Sequence, residues 1–228
     1  MSTLEQLNRL AANDVPAFVD VLHGIYEHSP WIPERAAKLA PFGNITALKQ
    51  AMQGVVFAAT RAEQLQLIRA HPELAGKAAI AGTLTAESTG EQAKAGLNLC
   101  SPEEFATLQQ LNSDYNSKFG FPFILAVKGA TGKGLTRQQI IATFTRRLRN
   151  QPEDELREAL RQIGRIAEMR INDLLGHVPA IGATVMEWAE DIAAWSEDEG
   201  ALTCTYMSDA HRPVSYTHLR AHETRGNL

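Results

Sequence analysis

Signals for metal sites and disulfides are absent from the sequence. Only two cysteines, Cys100 and Cys204, occur among its 228 residues, and they form no C-x-x-C motif. None of the seven histidines belongs to an H-E-x-x-H motif, and the helically spaced pair His218 and His222 is on its own a weak metal signal. Neither a structural zinc site nor a disulfide framework is indicated, and we expect no bound metal.

Long apolar runs and an excess of basic residues are missing too. The sequence has no run of about 18 apolar residues, which argues against a membrane span. The first residues, MSTLEQLNRL, lack the basic-then-apolar order of a signal peptide, so we expect a cytoplasmic protein. Its net charge is −4, and no basic stripe alternates with aromatics, which argues against nucleic acid as a partner. A small anionic ligand remains compatible, because it needs only one well-placed arginine.

Helix signals recur along the first three quarters of the chain. With 44% hydrophobic residues, the chain is long enough for one full core and leaves too little for a second ordinary domain. Gly120 and Gly176 fit helix stops. The helix-start signals are Ser2-x-x-Glu5, Asp14 with Pro16, Asn44, Ser101-Pro102 with Glu104, Thr136-x-x-Gln139 and Pro152. The sequence therefore predicts an all-α fold, a single compact helical domain over residues 1–175 with a loosely attached tail, residues 176–228.

Two segments break the helical pattern. We expect the helix that begins at Asp14 to run on until just before Pro30, where a turn-rich stretch, residues 27–33, contains a histidine and a tryptophan. These rings either line a pocket or plug one end of the core, and we favour the plug. The second segment, residues 121–127, is short, apolar and β-prone, but no partner strands are evident.

Residues 121–127 are a candidate pocket wall. A buried extended segment must find partners for its backbone N–H and C=O groups, and a bound ligand or water can supply them. We therefore expect the backbone of Phe123 and Ile124 to face a ligand.

His71 is the first candidate catalytic residue. Residues 61–70 are helix-forming, and Leu67 and Ile68 place His71 on the apolar side of that helix. Pro72 disfavours the α region for His71 and should end the helix there. A helix C-terminus favours a protonated imidazole through the helix dipole. An inward histidine is, however, also a common satisfied core residue.

Ser88, Glu91 and Gln92 lie at the start of a second predicted helix beyond His71. An imidazole, a carboxylate and an amide brought together form a small polar pocket. Ser88-x-x-Glu91 also fits a capping box, in which both side chains only satisfy backbone N–H groups of the first helical turn. Spacing alone favours the capping box.

Arg170 falls within the apolar stripe of the last predicted helix, residues 152–175. A buried guanidinium is costly without an anion, so Arg170 should pair with one. That anion is either a protein carboxylate, such as Glu91, or the carboxylate of a ligand held bidentately. The stripe consists of Leu156, Leu160, Ile163, Ala167 and Leu174.

Five sequence blocks in order resemble one enzyme family. They are YEHSPWIPERA (26–36), HPELAGK (71–77), LTAESTGEQAKAGL (84–97), LNSDYNSKFGFPFILAVKG (111–129) and IAEMRINDLL (166–175). Together they resemble 2-oxo-4-hydroxy-4-carboxy-5-ureidoimidazoline (OHCU) decarboxylases, which act in purine breakdown. The resemblance implies an all-helical, cofactor-independent decarboxylase, a homodimer, and (S)-allantoin as the product.

The resemblance also assigns site residues. The family's catalytic histidine falls on His71. Its ligand-contacting serine, glutamate and glutamine fall on Ser88, Glu91 and Gln92, and its substrate-binding arginine falls on Arg170. We further predict that Glu91 acts with His71 in catalysis. The additional substrate contacts that we predict are Pro72, Phe123 and Ile124.

The tail resembles other sequences. Residues 182–214 are similar to the opening segment of allantoate amidohydrolases and stop before any metal-ligand motif. Residues 215–224, SYTHLRAHET, resemble a run that arises at chain ends through sequencing-adapter read-through. We therefore predict no activity for residues 176–228.

Two rival functions remain compatible with the sequence. One is a non-catalytic helical binding module, which is favoured if His71, Glu91 and Arg170 do not converge on one cavity. The other is a different ureide-pathway enzyme, such as a hydrolase, which needs an activated water or a metal.

Overall fold

The helices occupy most of residues 3–74, 100–127 and 134–176, which are the residues that the computed structural model describes. Within these ranges the chain forms eight α-helices and no β-strand, as the all-α prediction requires. The helices are α1 (Leu4–Asn13), α2 (Val15–Val21), α3 (Trp31–Ala37), α4 (Ile45–Ala58), α5 (Arg61–Ala70), α6 (Pro102–Phe119), α7 (Arg137–Arg147) and α8 (Pro152–Leu175). No helix of the described residues is long and apolar enough to cross a bilayer.

Most helix starts coincide with the predicted caps. Asp14, Asn44, Ser101 and Thr136 each accept a hydrogen bond from a backbone N–H of the first turn. The first helix is the exception, because its capping box is formed one residue later than predicted, by Thr3 with the side chain at position 6.

Gly120 and Gly176 end α6 and α8 in the left-handed conformation, with φ of 73° and 62°. Glycine adopts this conformation without a Cβ penalty. Both predicted helix stops are therefore confirmed.

The segment between α2 and α3 differs from the prediction. Helix α2 ends at Val21 instead of continuing towards Pro30, because the backbone changes to i→i+3 turns around Gly24, a poor helix former. Helix α3 then begins at Trp31, inside the stretch that was predicted as turns. Pro33 is compatible with it, since the first four N–H groups of a helix have no intrahelical partner.

Helix α8 lies at the centre of the described helices and packs against α4, α5 and α6. Its predicted stripe is confirmed, with Leu156, Leu160, Ile163 and Ala167 buried. Leu174, near the end of the helix, is only partly buried. The 24-residue length of α8 allows its two ends to contribute to different polar clusters.

An aromatic cluster holds residues 121–127 against α6 and α7. The Tyr115 ring lies with centroid distances of 5.3 Å from Phe123 and 5.5 Å from Phe144, both in edge-to-face geometry. Phe123 and Phe144 stack at 3.8 Å. Such pairs add to the stabilisation from buried area, so this cluster fixes an otherwise irregular segment.

Candidate active site

His71 ends α5 in the conformation that the sequence predicts. Its backbone is extended, with φ −79° and ψ 139°, and its N–H donates to the Ile68 carbonyl as the helix cap. The side chain is buried, as expected from its position on the apolar face. Pro72 enforces this ending by disfavouring the α region for the preceding residue.

A backbone carbonyl sets the tautomer of the His71 ring. Nδ1 lies 2.9 Å from the Leu67 oxygen, which can only accept, so Nδ1 carries the proton and donates. In the neutral ring, Nε2 then holds the lone pair. His71 therefore presents a proton-accepting nitrogen on the side of the ring opposite α5.

Burial lowers the pKa of His71 from its ordinary 6.5 to about 4. Desolvation is the largest cause, and the positive charges of Arg170 and His28 act in the same direction. The Leu67 carbonyl and Glu27 oppose the shift without reversing it. The prediction that the helix terminus favours a protonated ring is therefore wrong for the net effect, because desolvation outweighs it.

Arg170 pairs with an anion, as its place in the apolar stripe predicts. Nη2 lies 3.2 Å from Glu27 Oε1, and the two side chains are only 7% and 4% exposed. Nη1 donates to the Gly24 carbonyl at 3.0 Å. A protein carboxylate thus meets Arg170 in this structure, and it comes from the segment between α2 and α3.

The extended conformation and burial of residues 121–127 are confirmed, with Phe123 and Ile124 almost fully enclosed. Protein side chains form hydrogen bonds with two of the backbone groups in this segment. The Ile124 carbonyl accepts from Arg147 Nη1 at 2.6 Å, and the Ala126 N–H donates to Gln162 Oε1 at 3.0 Å. These two groups therefore have protein partners, and the pocket wall formed by Phe123 and Ile124 stays a prediction.

Comparisons with known proteins agree with the sequence blocks. The family model described as OHCU decarboxylase matches residues 11–172. A 2-oxo-4-hydroxy-4-carboxy-5-ureidoimidazoline decarboxylase of Haloferax volcanii is 41% identical over 169 residues, which are 74% of this chain and 94% of that protein. The Mus musculus protein of the same name is 39% identical over 163 residues, 72% of this chain and 89% of that protein. The chain belongs to the OHCU decarboxylase family.

A solved structure also resembles this member of the OHCU decarboxylase family. The crystal structure of an (S)-allantoin synthase aligns with a TM-score of 0.59 and 28% identity. The alignment covers 76% of this chain and 54% of that one. The helical fold is therefore shared with that enzyme.

The structure brings some of the site residues predicted for this OHCU decarboxylase family member together. His71 lies at the end of α5 and Arg170 on α8, and the positive charge of Arg170 lowers the pKa of His71. Ser88, Glu91 and Gln92 lie outside the described residues, although within the range that the family model matches. Among the residues that the structure describes, no group of three or more His, Cys, Asp or Glu side chains is arranged to hold a metal ion.

Sequence reasoning missed Glu27, whose carboxylate is 4% exposed. The available signal was a carboxylate that directly follows the apolar positions Ile25 and Tyr26. A charged residue at such a position is rarely buried without a partner. The partner could not be named, because it is more than a hundred residues away in the sequence.

Proposed function

We propose that the protein decarboxylates 2-oxo-4-hydroxy-4-carboxy-5-ureidoimidazoline to (S)-allantoin in urate breakdown, without a cofactor. Membership of the OHCU decarboxylase family is the observation that carries this proposal. The buried His71 supports it as an acid–base residue, since its Nε2 can accept a proton and the positive charge of Arg170 contributes to its lowered pKa.

The substrate supplies its own electron sink. Its carboxylate is attached to a ring carbon next to a C=N unit. When the C–CO₂ bond breaks, its electron pair forms a C=C bond to the neighbouring ring carbon, and the C=N pair moves onto the ring nitrogen, which takes a proton from the medium. The hydroxyl on the same carbon then loses its proton and becomes a carbonyl, while the neighbouring carbon gains a proton. The protein then has to orient the substrate and move protons, which side chains can do without a cofactor.

His71 acts as the proton acceptor in this scheme. A ring with a pKa of about 4 is neutral at pH 7, so Nε2 is ready to take the proton of the substrate hydroxyl. The resulting imidazolium then returns a proton to the product carbon. Glu91 assists His71 in this transfer.

The remaining predicted residues bind and orient the substrate. Arg170 and Gln92 hold the polar groups of the ureide and the ring, and Ser88 orients Glu91 or the substrate. Pro72, with the backbone of Phe123 and Ile124, forms the wall of the pocket. Charge-assisted hydrogen bonds from a guanidinium favour the binding of such polar groups in a buried site.

The decisive experiment incubates freshly generated substrate with the purified protein and follows both CO₂ release and the chirality of the product. CO₂ release with (S)-allantoin as the product supports decarboxylation. Substrate binding without CO₂ would indicate a binding module, and ring opening without CO₂ would indicate a hydrolase.

The proposal includes the organisation of the chain. Residues 1–175 form the catalytic domain, and residues 176–228 are an appended segment without a catalytic role. The active species is a cytoplasmic homodimer that binds neither nucleic acid nor membranes, as the resemblance and the composition imply. Light scattering of the purified protein measures the subunit number, and a monomer that retains full activity would contradict the dimer.

A further inference from the structure

Glu27 contacts one ionisable side chain of the candidate active site and acts through its charge on the other. Its Oε1 is 3.2 Å from Arg170 Nη2, and its negative charge acts on His71. The side chain is 4% exposed, so the interaction with its neighbours is little weakened by water. Glu27 is therefore placed to influence both the anion-binding group and the proton acceptor.

The backbone around Glu27 is fixed by its own turn. Ser29 Oγ donates to the Glu27 carbonyl at 2.9 Å, and the Ser29 N–H donates to the Tyr26 carbonyl at 3.3 Å. Between them, His28 adopts a φ of 46°, in the left-handed region. A non-glycine residue persists there only where its surroundings hold it, which indicates that the position of this turn is well determined.

The same segment orients the Arg170 guanidinium. Nη1 donates to the Gly24 carbonyl at 3.0 Å, while Nη2 faces the Glu27 carboxylate. Because the guanidinium is planar, contacts at two of its nitrogens fix its plane as well as its position. The direction in which Arg170 meets a ligand thus depends on residues 24–27.

We propose that Glu27 is a positioning residue of the decarboxylation site, which orients the Arg170 guanidinium for the substrate and stabilises the charged form of His71 during turnover. This inference rests on the proposed function, because both tasks matter only if the chain decarboxylates. When His71 takes a proton from the substrate, the nearby carboxylate offsets the new positive charge. The charged groups of the described residues that act on His71 are Glu27, Arg170 and His28.

A purely structural role for Glu27 makes a different prediction. In that case the buried pair with Arg170 only joins the segment between α2 and α3 to α8, and its loss lowers stability without changing how His71 titrates. The experiment therefore measures titration and ligand affinity alongside thermal stability.

The test compares Glu27→Gln, Glu27→Asp and the control Glu104→Gln. Glutamine keeps an acceptor for Arg170 but removes the charge, whereas aspartate keeps the charge and withdraws it by one methylene. Glu104 is a suitable control because it also forms an ion pair, with Arg137 at 2.9 Å. It is part of a capping box as well, and glutamine can replace glutamate in that motif. For each variant, kcat, KM, (S)-allantoin affinity, Tm and the NMR titration of the His71 ring protons are measured.

Glu27→Gln should lower kcat/KM by about 10²-fold, the scale of a misplaced substrate, and weaken allantoin binding by about 10-fold. The His71 ring should titrate at a lower pH than in the wild type, because a charge that favours the imidazolium has been removed. In Glu27→Asp, the His71 ring should titrate at a pH closer to that of the wild type. This variant should still bind allantoin more weakly than the wild type does. Glu104→Gln should match the wild type in every measurement.

A folded Glu27→Gln protein with wild-type kcat/KM, allantoin affinity and His71 titration would overturn the inference. If Glu27→Gln does not fold, the Glu27→Asp variant provides the test. Wild-type KM and allantoin affinity in Glu27→Asp would then also overturn the inference. An inactive wild-type protein in the same assay would instead overturn the proposed function, so the two failures are distinguishable.

Discussion

Arg147 and Glu155 form an ion pair with an Nη2 to Oε1 distance of 2.5 Å, and their side chains are only 1% and 0% exposed. The same arginine donates to the Ile124 carbonyl and lies over the Phe123 ring, 4.4 Å from its centroid. Glu155 also accepts from the Tyr115 hydroxyl. This pair therefore connects α6, α7 and α8 to the segment that we propose as a wall of the substrate pocket.

Removing Arg147 should destabilise the protein strongly. Arg147→Met leaves the Glu155 carboxylate buried without its partner, and breaking such a pair costs about 3–5 kcal/mol of unfolding free energy. Arg157→Met is the control, because Arg157 pairs with Asp154 on the same helix while 74% exposed, and exposed pairs contribute about 0–1 kcal/mol. Urea unfolding measures both values. Equal losses in the two variants would show that burial does not decide the strength of these pairs.

His71→Asn should keep the fold and the ligand but lose turnover. Asparagine can still donate to a backbone carbonyl, yet it cannot accept a proton at neutral pH. Loss of a general acid–base residue typically lowers kcat by about 10²- to 10⁴-fold. We expect allantoin affinity to stay close to that of the wild type. Stopped assays with freshly generated substrate measure the effect, and a variant that turns over normally would end the catalytic role of His71.

The stability of the protein should fall as the pH drops from about 6.5 to about 4. The pKa of His71 is lowered in the folded state, so as the pH falls the unfolded chain protonates His71 before the folded protein does. The contribution of the neutral His71 ring to stability is therefore complete above pH 6.5. At one pKa unit per 1.4 kcal/mol, the shift corresponds to roughly 3 kcal/mol. His71→Asn should flatten this part of the profile. Urea unfolding at several pH values compares the two proteins, and parallel profiles would contradict the lowered pKa.

Truncation after Leu175 should leave decarboxylation intact, because every proposed site residue precedes this position. A second truncation after Gly176 retains the left-handed helix cap, with its φ of 62°, and serves as the matched control. We expect both shortened proteins to show wild-type kcat and KM, with the first slightly less stable. A folded but inactive truncation would mean that the catalytic domain extends beyond residue 175.

Local features of the fold were predictable because they depend on neighbouring residues. Pro72 acts on the backbone of His71, and the Ser101 cap bonds to a residue three positions away, so each could be inferred without the tertiary structure. Arg170 was predicted to be buried with an anion because helical spacing alone places it among apolar residues.

The identity of that anion was not predictable, since Glu27 lies 143 residues from Arg170 in the sequence. The direction of the His71 pKa shift was missed for a related reason. A helix terminus contributes about 0.3–1 kcal/mol, whereas complete burial can shift a pKa by several units. How far a ring is buried depends on the packing of distant segments, which local sequence does not specify.

Arg170→Met should lose both stability and ligand binding. Glu27, at 4% exposure, would lose its buried ion pair with Arg170, so we expect a loss of about 3–5 kcal/mol of unfolding free energy, which lowers the Tm by about 2–4 °C per kcal/mol in a domain of this size. Allantoin affinity should fall as well, because the side chain proposed to hold the polar groups of the ureide and the ring is gone.

The double variant Arg170→Met with Glu27→Leu separates these two effects. Replacing both partners of a buried pair by apolar side chains is often neutral for folding, so most of the lost stability should return. Allantoin binding and turnover should not return, since neither side chain can hold the substrate. Calorimetry gives Tm and affinity for the single and double variants. Recovery of allantoin binding together with stability would show that Arg170 serves the fold alone, and would remove it from the substrate site.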